Sequence, residues 1–233
     1  KILNTSDVNI ATIEEPVEYN LEGVTQIQVN PKSKLTFASG LRSIVRQDPD
    51  IIMVGEIRDS ETADIAVNSA LTGHLVLSTL HTNDAATALP RLLEMGVEPF
   101  LVASTVNIIV AQRLVRRICQ RCIQSHEMPL SQMRELLPGV VLEKLPKDKS
   151  SLLFYQGAGC TLCLGTGFVG RVGVFEGLEG SDAIRKLIMQ NVDSDQIKKQ
   201  AIAEGMTTML DDGIEKVLRG MTTMEEIVRA VRT

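Results

Sequence analysis

The apolar positions of this chain follow two regimes. Three short runs, Val8–Ile13, Ile51–Val54 and Leu75–Leu80, are largely apolar and rich in β-branched residues. Near-continuous apolarity suits strands covered on both faces, as in a parallel sheet; a strand with one wet face would alternate. Between the runs the spacing turns helical. Ala38, Leu41, Ile44 and Val45 share one face. Ile65, Ala66 and Ala70 recur behind Asp59-Ser60-Glu61, which reads as an N-cap and an acidic first turn, with Val67 flanking. Strands alternating with helices predict an α/β fold with a parallel sheet.

Beyond Leu80 the pattern changes. Asp84–Met95 reads as a helix stopped by Gly96, and Pro99 opens a second, long helix running to about Arg117. This helix holds the longest apolar stretch, Val97–Ala111, which is too short to span a bilayer and is interrupted by Glu98, Ser104, Thr105 and Asn107. From Cys119 to Val174 no period holds, and the stretch reads as irregular and Gly-rich, with a lysine-rich segment at Pro146–Ser151. From Ser181 onward three short helical pieces are expected. GMTTM occurs at Gly205 and again at Gly220, reading each time as a glycine stop followed by a threonine cap. The expected division is 1–112, a sheet domain; 113–175, a cysteine-bearing element; and 176–233, a helical region.

Composition narrows the function. With 44% apolar and 23% charged residues over 233 positions, the chain is ordinary for a globular protein and wholesale disorder is excluded. The net charge of −5 offers no basic field for nucleic acid. Aromatics are 3% with no Trp, which argues against base-stacking platforms. The chain opens on KILNTSDVNI, with neither Met nor a charged-then-apolar leader, and reads as a piece of a longer protein without a signal peptide.

Candidate chemistry gathers at the strand ends. The second run continues Ile51-Ile52-Met53-Val54-Gly55-Glu56. A rigid apolar strand that delivers one carboxylate past the sheet edge is the physical form of a Walker B element, since ligands of open α/β sheets bind at that edge. A buried strand ending in a solvated glutamate fits equally well. The first run continues into Glu14-Glu15-Pro16-Val17-Glu18. Carboxylates this close raise each other's pKa unless a cation intervenes, and a metal-bound phosphate is one such partner; an acidic loop in solvent is the plain alternative. His74 and His81 flank the third run at opposite ends, with His81 beside Glu56 if the strands are neighbours. A Ser78–His81–Asp84 triad is excluded, because alternation points Ser78 and His81 to opposite faces.

Taken together, IATIEEPVEY and LTFASGLRSIVRQDPDIIMVGEIRDSETADIAVNSALTGHLVLSTLHTND resemble the secretion-ATPase superfamily, and within it the assembly ATPases of type II secretion systems and type IV pili. Ile13–Tyr19 resembles that family's Asp box, Ile51–Asp59 its Walker B box and Thr72–Thr82 its His box; GVEPFLVASTVNIIVAQRLVRRICQRC also fits. The resemblance covers nearly the whole chain. Where the family usually has Glu-Asp-Pro, this chain has Glu14-Glu15-Pro16. No G-x-x-x-x-G-K-[ST] P-loop occurs in the 233 residues. The resemblance implies a partial RecA-like sheet from a hexameric, Mg²⁺-dependent ATPase. It would be cytoplasmic and peripheral at the inner membrane, working on a platform protein and a cytoplasmic-face adaptor, with no nucleic acid partner. It implies that Glu18 orients or deprotonates the attacking water, that Glu56 holds the Mg²⁺ shell, and that His81, with His74 less directly, senses the γ-phosphate. Glu14 belongs to the same acidic cluster. Arg42, Arg46 and Arg58 are candidate phosphate contacts, with a helix-surface ion pair to Glu61 or Asp48 as the plain alternative for each. The stretch by itself is expected to be inactive on ATP for want of the P-loop.

The four cysteines form two pairs, Cys119-x-x-Cys122 and Cys160-x-x-Cys163. Two such pairs complete a tetrahedral Cys₄ shell for structural Zn²⁺. Their separation exceeds usual ribbon spacing, so Pro129–Phe154 must loop out. Disulfides would need an oxidising compartment. Arg113, Arg116, Arg117 and Arg121 flank the first pair, which leaves two rival readings: a zinc-ribbon nucleic-acid module, against which net charge and scarce aromatics weigh, and a non-catalytic oligomeric scaffold.

Overall fold

In the computed structural model of the chain, residues 2–136, 139–146 and 150–231 are described. Four strands build one sheet: β1 (Ile10–Glu14), β2 (Val24–Gln28), β3 (Ile51–Val54) and β4 (Leu75–Ser78). Their order is β2-β1-β3-β4 and every pairing is parallel. The expected strands are present, with β4 ending two residues short of Leu80. The sequence does not announce β2, an edge strand in which Thr25, Gln26 and Gln28 interrupt the apolar residues. β4 is the other edge, and its Leu75 and Leu77 stand about half exposed.

The crossover helices form as the sequence dictates. Thr36 opens α1 (Phe37–Val45) with a reciprocal capping box to Ser39. Asp59 opens α2 (Ser60–Leu71), accepting the Thr62 N–H at 2.8 Å. α1 buries Phe37, Ala38, Leu41 and Ile44 against the sheet. At Gly40 a Cβ would sit 2.1 Å from Ile13 Cδ1, so a larger residue there would have to push the tip of the Ile13 side chain aside.

Two expectations need correction. The helix opened by Pro99 ends at Thr105 as α4 (Pro99–Thr105), following α3 (Ala88–Glu94); Ile108–Ile118 is a strand, β5. Its burial alternates from Ile108 to Val115, so the apolar run was a two-residue period and not a helical face. The stretch Cys119–Val174 is not irregular. It holds β6 (Ile123–Pro129), α5 (Leu130–Leu136), α6 (Gly139–Leu142), β7 (Ser151–Gly157) and the start of β8 (Phe168–Glu179). β6 and β7 pair antiparallel from Ile123↔Gly157 to Pro129↔Ser151, and β5 pairs with β8. Residues 147–149 of the lysine-rich segment lie outside the described residues.

Four helices close the chain where three were expected: α7 (Asp182–Met189), α8 (Ser194–Ala203), α9 (Met209–Leu218) and α10 (Met224–Val231). Both copies of GMTTM fall between helices, α8 and α9 for the first and α9 and α10 for the second. Gly205 and Gly220 take φ of +102° and +71°, and Thr208 caps α9 with a capping box to Asp211.

The chain divides into two compact units. One comprises residues 1–82, 86–109 and 179–201, the other 83–85, 110–178 and 202–233. The first centres on Ile13, Leu41, Ile44, Ile52 and Val54, all essentially inaccessible. The second packs Val115, Met133, Phe154, Val174, Ile214 and Ile227 into its own core. Among the described residues no helix is long and apolar enough to cross a membrane. Ile52→Ala removes a fully buried side chain from the central sheet. It is expected to cost about 2–5 kcal/mol, read as a fall in the denaturant midpoint at unchanged m-value.

Candidate functional site

The parallel register fixes what meets at the carboxyl edge. Ile13 pairs with Val54, and Val54 with Ser78, so the residues after all three strands emerge side by side. The loops are then stitched: the Thr79 hydroxyl donates to the Gly55 carbonyl at 2.6 Å, and the Ile57 N–H donates to Thr79 O at 3.0 Å. This brings His81 Nε2 to 2.8 Å from Glu56 Oε2, the adjacency expected if β3 and β4 were neighbours.

Arg58 completes the cluster. Its guanidinium lies 2.5 Å from Glu56 Oε1 and donates to Glu15 Oε2 at 3.0 Å. The hydrogen bond from Arg58 holds the Glu56 carboxyl below its ordinary value of 4.5, against the opposing effect of burial, with His81 adding to the depression; the Arg58 guanidinium is raised in return. Glu56 is therefore ionised at neutral pH. Its side chain is 12% exposed and that of His81 84%, so a partly buried carboxylate is faced by an open imidazole.

The remaining candidates separate. Glu14 is buried on β1, accepting from Thr12 Oγ1 at 2.6 Å and Gln26 Nε2 at 2.9 Å, which makes it part of the sheet's internal polar network. Glu18 is exposed in the loop after β1. His74 lies at the opposite edge, before β4, with Nδ1 2.8 Å from Ser69 O. Arg42 pairs with Glu61, as the plain reading anticipated. Arg46 caps the far end of α1, the end that leads into the start of β3. The cluster that forms is thus Glu15, Glu56, Arg58 and His81. From the sequence Glu15 reads only as part of the acidic run, since no spacing signals its tie to Arg58.

A second constellation lies in the other unit. The four cysteine sulfurs all fall within 4.8 Å of one another. Cys119–Cys160 and Cys122–Cys163 are 3.8 Å apart and Cys160–Cys163 3.7 Å, far beyond the ~2.0 Å of a disulfide. Backbone approach makes this possible. A Cβ on Gly157 would lie 2.1 Å from Gly167 O, so this crossing requires glycine, and the Cys119 N–H donates to Gly167 O at 2.9 Å. Burial works to raise the Cys163 thiol, but N–H donors from Cys160 at 3.1 Å and Gly167 at 3.3 Å outweigh it and bring the thiol down to about 6. Burial pushes Cys122 up.

Of the flanking arginines, Arg116 bonds the buried Glu226 of α10 at 2.7 Å while its guanidinium stacks 4.2 Å above the Phe168 ring. Arg113 donates to Asn83 Oδ1 at 3.1 Å. The basic cluster is thus partly spent on internal contacts.

The class to which the chain belongs comes from the sequence comparisons. The chain belongs to the type II/IV secretion system protein family, whose sequence model matches residues 1–229. It is 47% identical over 232 residues to the type IV pilus assembly ATPase PilB of Pseudomonas aeruginosa, covering 99% of this chain and 40% of that protein. It is 45% identical over 230 residues to the type II secretion system ATPase E of Vibrio cholerae, covering 99% and 44%. The chain thus spans less than half the length of these relatives. Among solved structures, the pilus retraction motor PilT with bound ADP superposes with a TM-score of 0.68 at 27% identity, over 98% of this chain and 54% of that one.

Because Arg58 depresses the Glu56 carboxyl, the sign of its pH linkage is set. The contribution of this pair is present above the unfolded carboxyl value and is lost as pH falls through the lower folded value. Arg58→Ala is expected to move the Glu56 titration up toward 4.5, read from side-chain carboxyl ¹³C shifts. An unmoved titration would mean that Arg58 is electrostatically idle.

Proposed function

We propose that this chain is the water-activating part of an ATPase that powers assembly of a type IV pilus or a type II secretion pseudopilus. The observation that carries the reading is the Glu15–Glu56–Arg58–His81 cluster at the carboxyl edge of a parallel sheet, in a chain nearly half identical to a pilus assembly ATPase. The donor set suits the ligand: carboxylate oxygens are the donors Mg²⁺ prefers, and the imidazole and guanidinium offer N–H groups to phosphate oxygens. Bound Mg²⁺–ATP would supply the phosphoanhydride and its metal.

The chain's own residues divide the work. Glu56, ionised and held by Arg58, would hold the water shell of a bound Mg²⁺. Glu18, exposed in the loop after β1, takes the proton of the attacking water or orients it. His81, hydrogen-bonded to Glu56, would offer its ring to the terminal phosphate of a bound nucleotide; His74, at the other edge, would act only indirectly. Arg58 is the candidate phosphate arginine nearest these acids. The cradle for the phosphates is not in these 233 residues, since no P-loop motif occurs in them. Positioning carries most of phosphoryl-transfer catalysis, so this stretch by itself is expected to turn over no ATP. The working assembly is a homo-hexamer at the cytoplasmic face of the inner membrane, engaging a platform protein and an adaptor.

The cysteine cluster is read as a structural zinc site. A tetrahedron with arms of ~2.3 Å has edges of about 3.8 Å, and the shortest sulfur pairs here are 3.7–3.8 Å apart. The lowered Cys163 thiol supplies a ready thiolate to begin coordination.

Glu18→Gln in the whole protein is expected to lower kcat at least ~100-fold with ATP affinity retained, since a water-orienting acid acts in the transition state. Parallel loss of nucleotide affinity would move Glu18 to binding. Elemental analysis of protein purified without chelator is expected to give one zinc per chain. Cys160→Ser should lose the metal and open 119–174 to protease, leaving the sheet unit resistant; a metal-free but protease-resistant wild type would overturn the zinc reading.

A further inference from the structure

Two polar side chains of the edge strand β2 turn back toward the loop that leads into it. Gln26 and Gln28 are two residues apart, so both project from one face of the strand. The parallel register sets Gln26 abreast of Thr12 and Gln28 abreast of Glu14 on β1. All four belong to the same compact unit, as does the loop between the two strands, residues 15–23. Glu18 lies on that loop.

Each glutamine grips the loop backbone. Gln28 Oε1 accepts the Val17 N–H at 3.2 Å. Gln26 Oε1 accepts the Leu21 N–H at 2.7 Å, and its Nε2 donates to the Tyr19 carbonyl at 3.1 Å. The same Nε2 donates to Glu14 Oε1 at 2.9 Å, an oxygen that also takes the Thr12 hydroxyl at 2.6 Å. Glu14 is buried, so Gln26 is moored to the sheet while it holds the loop. These partners fix which end of each amide is oxygen: a backbone N–H needs an acceptor, and a carbonyl or carboxylate needs a donor. The loop has further ties toward its ends, from Arg58 to Glu15 at 3.0 Å and from Asn4 Nδ2 to the Glu22 carbonyl at 2.8 Å.

We propose that Gln26 and Gln28 are positioning residues for Glu18. Val17 and Tyr19 are its two chain neighbours, each about 3.8 Å away between Cα atoms. Both are held through their backbone by β2. The Glu18 side chain meanwhile stays exposed, where a ligand can meet it. An exposed acid on an untied loop would sample many positions, and holding a reacting group in one place is worth orders of magnitude in rate. The same arrangement gives Glu14 a task at one remove, since it steadies the amide that holds Tyr19. This inference rests on the reading of Glu18 as the acid that orients the attacking water.

The test uses Gln28→Met and Gln26→Met in the whole protein, each alone and combined with Glu18→Gln. Met keeps the length of the side chain and gives up its hydrogen bonds. Each single variant is expected to lower kcat about 10- to 100-fold with KM for ATP nearly unchanged, as for a misplaced catalytic group. On the Glu18→Gln background neither should lower kcat further, because the group to be positioned is already gone. The two amides also predict a contrast. Gln28→Glu keeps the acceptor for Val17 and should regain most of the turnover lost in Gln28→Met. Gln26→Glu loses the donors to Tyr19 and Glu14 and sets a second carboxylate against Glu14, so it should regain none. Hydrogen–deuterium exchange reads the loop without turnover: each Met variant should speed exchange in residues 17–21 several-fold while residues 10–14 keep their rate. Multiplicative losses on the Glu18→Gln background, or unchanged loop exchange in the folded Met variants, would overturn the proposal. Full turnover in Glu18→Gln would sink the reading of Glu18 instead, and the exchange rates would still decide whether the glutamines hold the loop. Should Gln26→Met fail to fold, the variants of the exposed Gln28 decide alone.

Discussion

Everything at the sheet edge depends on the parallel pairing of β1, β3 and β4 in a single register. Each strand contributes only four or five residues. Because equivalent positions lie abreast, however, the loops that follow must emerge together. Glu56 does not need a specific interaction to find His81. It needs two strands of matching length paired in parallel register. The hydrogen bonds from Thr79 then remove what freedom the loops retain. Register is the constraint, and the polar cluster is its product.

This explains which parts of the molecule were legible in the sequence. Continuous apolar runs bounded by capping residues announce buried parallel strands, and Glu56 and His81 fall at countable distances from their ends. The partners of Arg58 were not readable, because Glu15 lies 43 positions away and meets it only after folding. The second unit was misread for a different reason. Its strands are wet on one face, so Gln124, Ser125 and Glu127 break up the apolar signal of β6, while the dense β-branched start of β5 imitates a buried helix. Only the cysteine spacing was strong there, and the four sulfurs do converge.

The two units are stabilised by different means. The sheet unit relies on aliphatic side chains that are almost completely inaccessible, chiefly isoleucine and leucine. The second unit adds buried charge: Glu226 is locked by Arg116 and Arg229, and Glu176 accepts from the backbone N–H groups of Ala85 and Met209. Such groups discriminate strongly between right and wrong arrangements, since a displaced partner leaves an uncompensated charge inside. They suit a segment whose strands carry a weak apolar pattern.

The open side of β4 has a practical corollary. A parallel edge strand shows a row of unsatisfied N–H and C=O groups, and here Leu75 and Leu77 stand half exposed on it with no lysine, proline or bulge to blunt the edge. Such a border is a template for any extended chain that meets it, including another molecule of the same kind. In this four-stranded sheet that border runs along the side opposite β2.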